Sequence, residues 1–113
     1  MVRTNKLNLA PPYPVELSIK RLGENLRVAR IRRNLTIADV AERIGTGPRA
    51  VMDAEKGKPS TGMVVYGALL WLYDQLYQLD EVADPSKDEE GRLLEMAKQR
   101  TRARQNKGLD NDF

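Results

Sequence analysis

The side chains with which this 113-residue chain could act on another molecule are mostly cations. Cys and His are both absent, so thiolate nucleophiles, imidazole bases, Ser-His triads and thiolate or imidazole metal sites are excluded together. No cofactor is implied, and an enzyme is not expected. What remains is 19 Lys and Arg against 16 Asp and Glu, a formal net charge of only +3. That small total is a near-cancellation of segregated blocks. Residues 1–34 hold eight basic and two acidic side chains, residues 92–107 six basic and one acidic, and residues 74–90 seven acidic and one Lys. Basic blocks on either side of an acidic one point to electrostatic capture of an anionic partner.

The elements that must position these charges are helices. Residues 1–17 contain Pro11, Pro12 and Pro14 without sustained periodicity and are expected to be an arm, partly extended around Tyr13 to Leu17. From Ser18, the apolar residues Ile19, Leu22, Leu26 and Ala29 recur at helical spacing, which predicts a helix ending near Asn34. Thr36 and Asp39 form a Thr-x-x-Asp start signal for a short helix to Ile44, with Ile37, Val40, Ala41 and Ile44 on its buried face. Gly45 supplies the positive φ at which that helix stops. Pro48 suits the first position of the next helix, whose inward face is Ala50, Val51 and Ala54, and Gly57-Lys58-Pro59 end it.

The run Met63 to Tyr73 is apolar around its whole circumference, and at eleven residues it is far short of the roughly 20 needed to span a bilayer. An all-round apolar helix in a small domain needs a second partner, and another copy of the same chain is the simplest one. The expected dimer interface is Val65, Leu69, Trp71, Leu72 and Leu76, with Trp71 in the dimer core in preference to a ligand platform. Asp84-Pro85 breaks the pattern, and a last helix is expected over residues 86–104 with residues 105–113 mobile. The N-terminus lacks the apolar stretch of a signal peptide, so a cytoplasmic location is expected, with neither a membrane nor a small-molecule ligand as partner.

Two short helices joined through a glycine make a helix-turn-helix signature. The stretch Leu35-Thr36-Ile37-Ala38-Asp39-Val40-Ala41-Glu42-Arg43-Ile44-Gly45, continued by Val51, Glu55, Lys56 and Gly57, resembles the Cro/C1-type (Xre family) DNA-binding domain over about residues 20–82. The resemblance implies an all-α, compact four- to five-helix lambda-repressor-like domain over residues 18–83, with an additional C-terminal helix over 84–113. It implies that the helix at residues 47–56 enters the major groove of double-stranded DNA, with Pro48, Arg49, Met52 and Asp53 towards the bases. Arg49 can give two hydrogen bonds to a guanine edge, or contact phosphate. Asp53 can accept from a cytosine amino group or orient Arg49. Gly47, Lys56, Lys58 and Thr36 are the implied phosphate contacts; the alternatives are that Lys56 and Lys58 are solvated loop charges and that Thr36 serves as a cap alone. Arg30 and Glu55 are implied as a structural ion pair. Two departures from the family remove polar contacts: Ile37 stands where a phosphate-clamping glutamine is usual, and Gly47-Pro48 replaces a Ser-Arg opening.

The C-terminal half, with Asp84-Pro85-Ser86-Lys87-Asp88-Glu89-Glu90-Gly91, a basic helix and Leu109-Asp110-Asn111-Asp112-Phe113, is similar to antitoxins of the HipB type, which neutralise HipA-like serine/threonine kinases. That likeness implies a homodimeric, autoregulating repressor with a kinase toxin as partner. Arg100, Arg102 and Arg104, with Lys98 and Lys107, then contact DNA, anchor the toxin, or end the helix in solvent. Phe113 is either an anchor or a frayed end. A stand-alone regulator without a toxin, and a protein-interaction adaptor that has lost DNA binding, are the rival functions.

Overall fold

The computed structural model describes residues 5–111, with side chains as far as Asn106. The described residues are all-α, without a strand. The helices are α1 (Lys6–Leu9), α2 (Tyr13–Arg32), α3 (Ile37–Ile44), α4 (Pro48–Glu55), α5 (Met63–Leu72), α6 (Tyr77–Asp80) and α7 (Glu89–Asn111), with a 3-10 turn at Pro85–Lys87. The chain divides into two units, Met1–Leu79 and Asp80–Phe113.

In the first unit the buried core joins Leu26 of α2, Val40 and Ala41 of α3, Val51 and Ala54 of α4, and Leu69 of α5. Ile19, Leu22, Ile37 and Ile44 pack against it half-buried. Each fully buried Leu or Val side chain among these contributes about 1.5–3 kcal/mol relative to exposure. α2 and α4 approach so closely at Gly23 that a Cβ there would stand 2.6 Å from the carbonyl oxygens of Ala54 and Glu55.

The start of α3 is doubly tied. The Asp39 backbone N–H donates to the Thr36 hydroxyl oxygen, and the Thr36 backbone N–H donates to the Asp39 carboxylate, each at 3.0 Å. α3 ends on Gly45 at φ 79°, a left-handed conformation that costs glycine little. Gly47 then takes the N-cap position of α4 and Pro48 its first turn, where a missing N–H is harmless.

Three expectations are corrected. The arm is helical: α1 forms within it, and α2 begins at Tyr13 because Pro14 falls in the first turn, where proline is tolerated. The last helix starts at Glu89, after the 3-10 turn, and runs to Asn111 through residues expected to be mobile. Leu69 is fully buried in the core of its own chain, so it is not available to a second copy. Val65, Leu72 and Leu76 are half-buried against the same core, and of the expected interface only Trp71, at 62% exposed, is open. Phe113 lies outside the described residues.

Candidate nucleic-acid interface

α3 and α4 make a tight pair because the turn between them is only Gly45-Thr46-Gly47, closed by the N–H groups of Gly45 and Thr46 donating to the Ala41 carbonyl at 3.0 and 2.9 Å. α4 buries Val51 and Ala54, which turns Pro48, Arg49, Met52 and Asp53 outward. Pro48 and Arg49 are exposed, while Met52 and Asp53 are half-buried. The Arg49 side chain is 83% exposed and reaches only loosely to Asp53, Nε to Oδ1 at 4.0 Å. Lys58 approaches the other oxygen of the same carboxylate, Nζ to Oδ2 at 3.8 Å. Asp53 therefore stands between two cations. Sequence spacing suggested Arg49 as its partner, but the approach of Lys58 depends on the path of the chain after α4 and has no local signal.

Behind this face the inner end of α4 is anchored. Glu55 turns inward and accepts from Arg30 at two points, Nε to Oε2 at 2.7 Å and Nη2 to Oε1 at 3.0 Å. Arg30 Nη1 also donates to the Leu35 carbonyl at 2.9 Å, so one guanidinium ties α2, the start of the α3 segment and α4 together. The hydrogen bonds to Glu55 raise the Arg30 pKa above its ordinary value, with burial opposing and the Glu55 charge adding. With Glu55 engaged inside, Asp53 is the one acid that α4 presents outward.

Gly47, Lys56 and Thr36 are exposed at the ends of α3 and α4. The Thr36 hydroxyl is engaged as the helix cap. Ile37, Met52 and Lys56 line a shallow cleft of about 490 Å³ together with Lys20 and Arg27 of α2, the carboxylates Glu24 and Glu55, and Arg30. Sequence reading places Arg27 on the outer face of α2 and does not name Lys20, since only the fold brings the two to the edge of α4. They are shared with carboxylates, Lys20 with Glu16 at 3.0 Å and Arg27 with Glu24 at 3.5 Å. Arg100, Arg102 and Arg104 are exposed on α7, in the second unit.

Among the described residues there is no cluster of acidic side chains fit to hold a metal, and no helix is long and apolar enough to cross a membrane. The face of α4 can donate hydrogen bonds and positive charge to a polyanion. Compared with protein-family models, curated proteins and solved structures, the chain matches none.

Proposed function

We propose that this chain is a sequence-specific DNA-binding repressor that acts as a homodimer. In the same reading it is the antitoxin of a HipA-like serine/threonine kinase and represses its own operon. The observation that carries the DNA reading is the outward face of α4, where an 83% exposed Arg49 extends from a helix braced by a partly buried ion pair. Arg49 reads a guanine edge, a contact worth about 1–3 kcal/mol of discrimination, while Lys56 and Lys58 meet phosphates. Two copies bind an inverted repeat with half-sites about one duplex turn apart and occlude the promoter. The antitoxin role rests on the likeness of the C-terminal half to HipB-type proteins, with Arg100, Arg102 and Arg104 offered to DNA or to the kinase.

Recovery of the tagged protein from its own cell, followed by assays of the eluate for a kinase and for bound DNA, tests both parts. Recovery of DNA without a kinase leaves a stand-alone regulator, and recovery of neither overturns the reading. For DNA itself, Arg49→Ala relaxes sequence preference, whereas Lys58→Ala weakens all duplexes alike and flattens the salt dependence by about one log-log unit. Equal effects of both variants on every sequence mean that Arg49 reads no base. A second reading, a protein-interaction adaptor, is favoured by Asp53, whose charge offsets both Arg49 and Lys58 on the face that would meet DNA.

A further inference from the structure

α2 has two faces with a pattern. Ile19, Leu22, Leu26 and Ala29 look into the core. On the opposite side Pro14, Leu17, Arg21, Glu24, Val28 and Ile31 follow one another at alternating steps of three and four residues, which is the a/d spacing of a coiled coil. At about 100° per residue these six lie within about 50° of a single line along the helix, largely opposite the core-facing residues, with Val28 at the edge where it also lines a groove beside Leu70, Gln75 and Gln78 of the same chain. Leu17, Val28 and Ile31 are 39%, 36% and 46% exposed, and Tyr13, at the start of the same face, is 69% exposed. The stripe is about 27 Å long at about 1.5 Å per residue.

We infer that this face of α2 pairs antiparallel with the same face of a second copy of the chain. The register follows from the sequence itself. With a two-fold axis passing between Leu22 and Gly23, Leu17 of each copy meets Val28 of the other, Pro14 meets Ile31, and Arg21 meets Glu24. Every a position thereby faces a d position, as an antiparallel pair requires. A parallel pair would set Arg21 on Arg21 and Glu24 on Glu24, so charge selects the antiparallel arrangement. Such an interface is isologous, the same patch used twice, which is the property a two-fold dimer needs. The exposed apolar residues of α5, Met63, Val64 and Trp71, carry no charge pair that would set a register with themselves.

The inference supplies a surface for the homodimer proposed above and does not depend on DNA binding. Its test uses the full chain without DNA in sedimentation equilibrium, with circular dichroism as a check that each variant folds. Glu24→Arg and Arg21→Glu, each alone, place like charges at both central layers and weaken self-association by about tenfold to a hundredfold. Mixed with one another, the two variants regain a dimer, because every Arg then faces a Glu across the interface. Because the chain has no Cys, Leu17→Cys and Val28→Cys provide a second measurement. Oxidation of the mixed pair yields a crosslinked heterodimer, and Leu17→Cys alone yields none. A dimer indifferent to both charge changes overturns the α2 interface while sparing the homodimer, and a wild-type chain that stays monomeric at high micromolar concentration overturns both.

Discussion

The Arg30 guanidinium and the Glu55 carboxylate lie parallel in a two-point pair, 2.7 and 3.0 Å apart, with only 13% and 6% of their side chains exposed. Removing one member leaves the other charged and unpaired in a partly enclosed cleft. Glu55→Ala is expected to cost about 1–3 kcal/mol of stability, whereas the double change Arg30→Met with Glu55→Leu is expected to be close to neutral. Thermal melts separate the two, since each kcal/mol moves the midpoint by about 4–8 °C in a domain of about this size. A single variant that melts like the wild type would mean that the pair is solvated in solution.

Gly23 places α2 against the carbonyls of Ala54 and Glu55 with no side chain between. Gly23→Ala has to push the two backbones apart, at a cost of about 1–3 kcal/mol, and in doing so it moves Glu55 away from Arg30. A melt that falls by less than this, or binding to duplex that is unchanged, would show that α4 tolerates the displacement.

Thr36 and Asp39 cap α3 reciprocally. Thr36→Ala is expected to cost about 1 kcal/mol. Donation from the Thr36 backbone N–H, and then from its side chain, holds the Asp39 pKa below its ordinary value. Because the folded pKa is the lower one, this contribution is complete above the unfolded carboxylate range and disappears as pH falls through the depressed value. Asp39→Asn should therefore reduce the slope of stability against pH on the acid side. An unchanged slope would locate acid sensitivity elsewhere.

Tyr73 is buried to 1% exposure, and its hydroxyl has no hydrogen-bond partner among the described residues. Burial pushes its phenol pKa up, the nearby Glu55 charge adds to the shift, and Arg30 and Arg33 oppose it. The fold favours the neutral phenol, so its contribution is complete below the ordinary value of about 10 and is lost as pH rises through the raised value. Tyr73→Phe should be neutral or slightly stabilising at pH 7 and should resist alkaline unfolding better than the wild type. It keeps the ring over which the Arg33 guanidinium sits at 5.3 Å. Substantial destabilisation at pH 7 would reveal an unseen partner for the hydroxyl.

Asp53 occupies both Arg49 and Lys58 at about the limit of ion-pair range, 4.0 and 3.8 Å. In the DNA-binding reading, Asp53→Asn releases both cations and should tighten binding to every duplex while steepening its salt dependence. Gel-shift titrations at two salt concentrations measure this. Weaker binding to one preferred sequence alone would instead make Asp53 a reader of bases.

Local chemistry made the middle of the chain legible. Thr36 with Asp39, Gly45 and Pro48 each act within one turn of helix, so residue type and spacing located the ends of α3 and α4. Pro11, Pro12 and Pro14 misled, because proline breaks a helix interior but is tolerated at its start. Leu69 misled for another reason: in a run apolar on every side, periodicity does not say which side meets the chain's own core. The candidate interface divides along the same line. Arg49 follows from its place in α4, whereas the approach of Lys58 to Asp53, and of Lys20 and Arg27 to the cleft beside Met52, requires the chain to have folded. The outer stripe of α2 is spelled in the sequence, but Arg21 and Glu24 interrupt its apolar pattern.

The contact at Gly23 also bears on how a pair of chains would measure its target. Packing of backbone against backbone sets the separation of the two helices directly, without a layer of side chains whose rotamers could adjust it. α2 and α4 form the two arms of one bracket, in backbone contact at Gly23. If two such brackets are joined along α2, the distance between their outward arms is a built-in ruler, and duplexes whose half-sites depart from that length are rejected by geometry before any base is read.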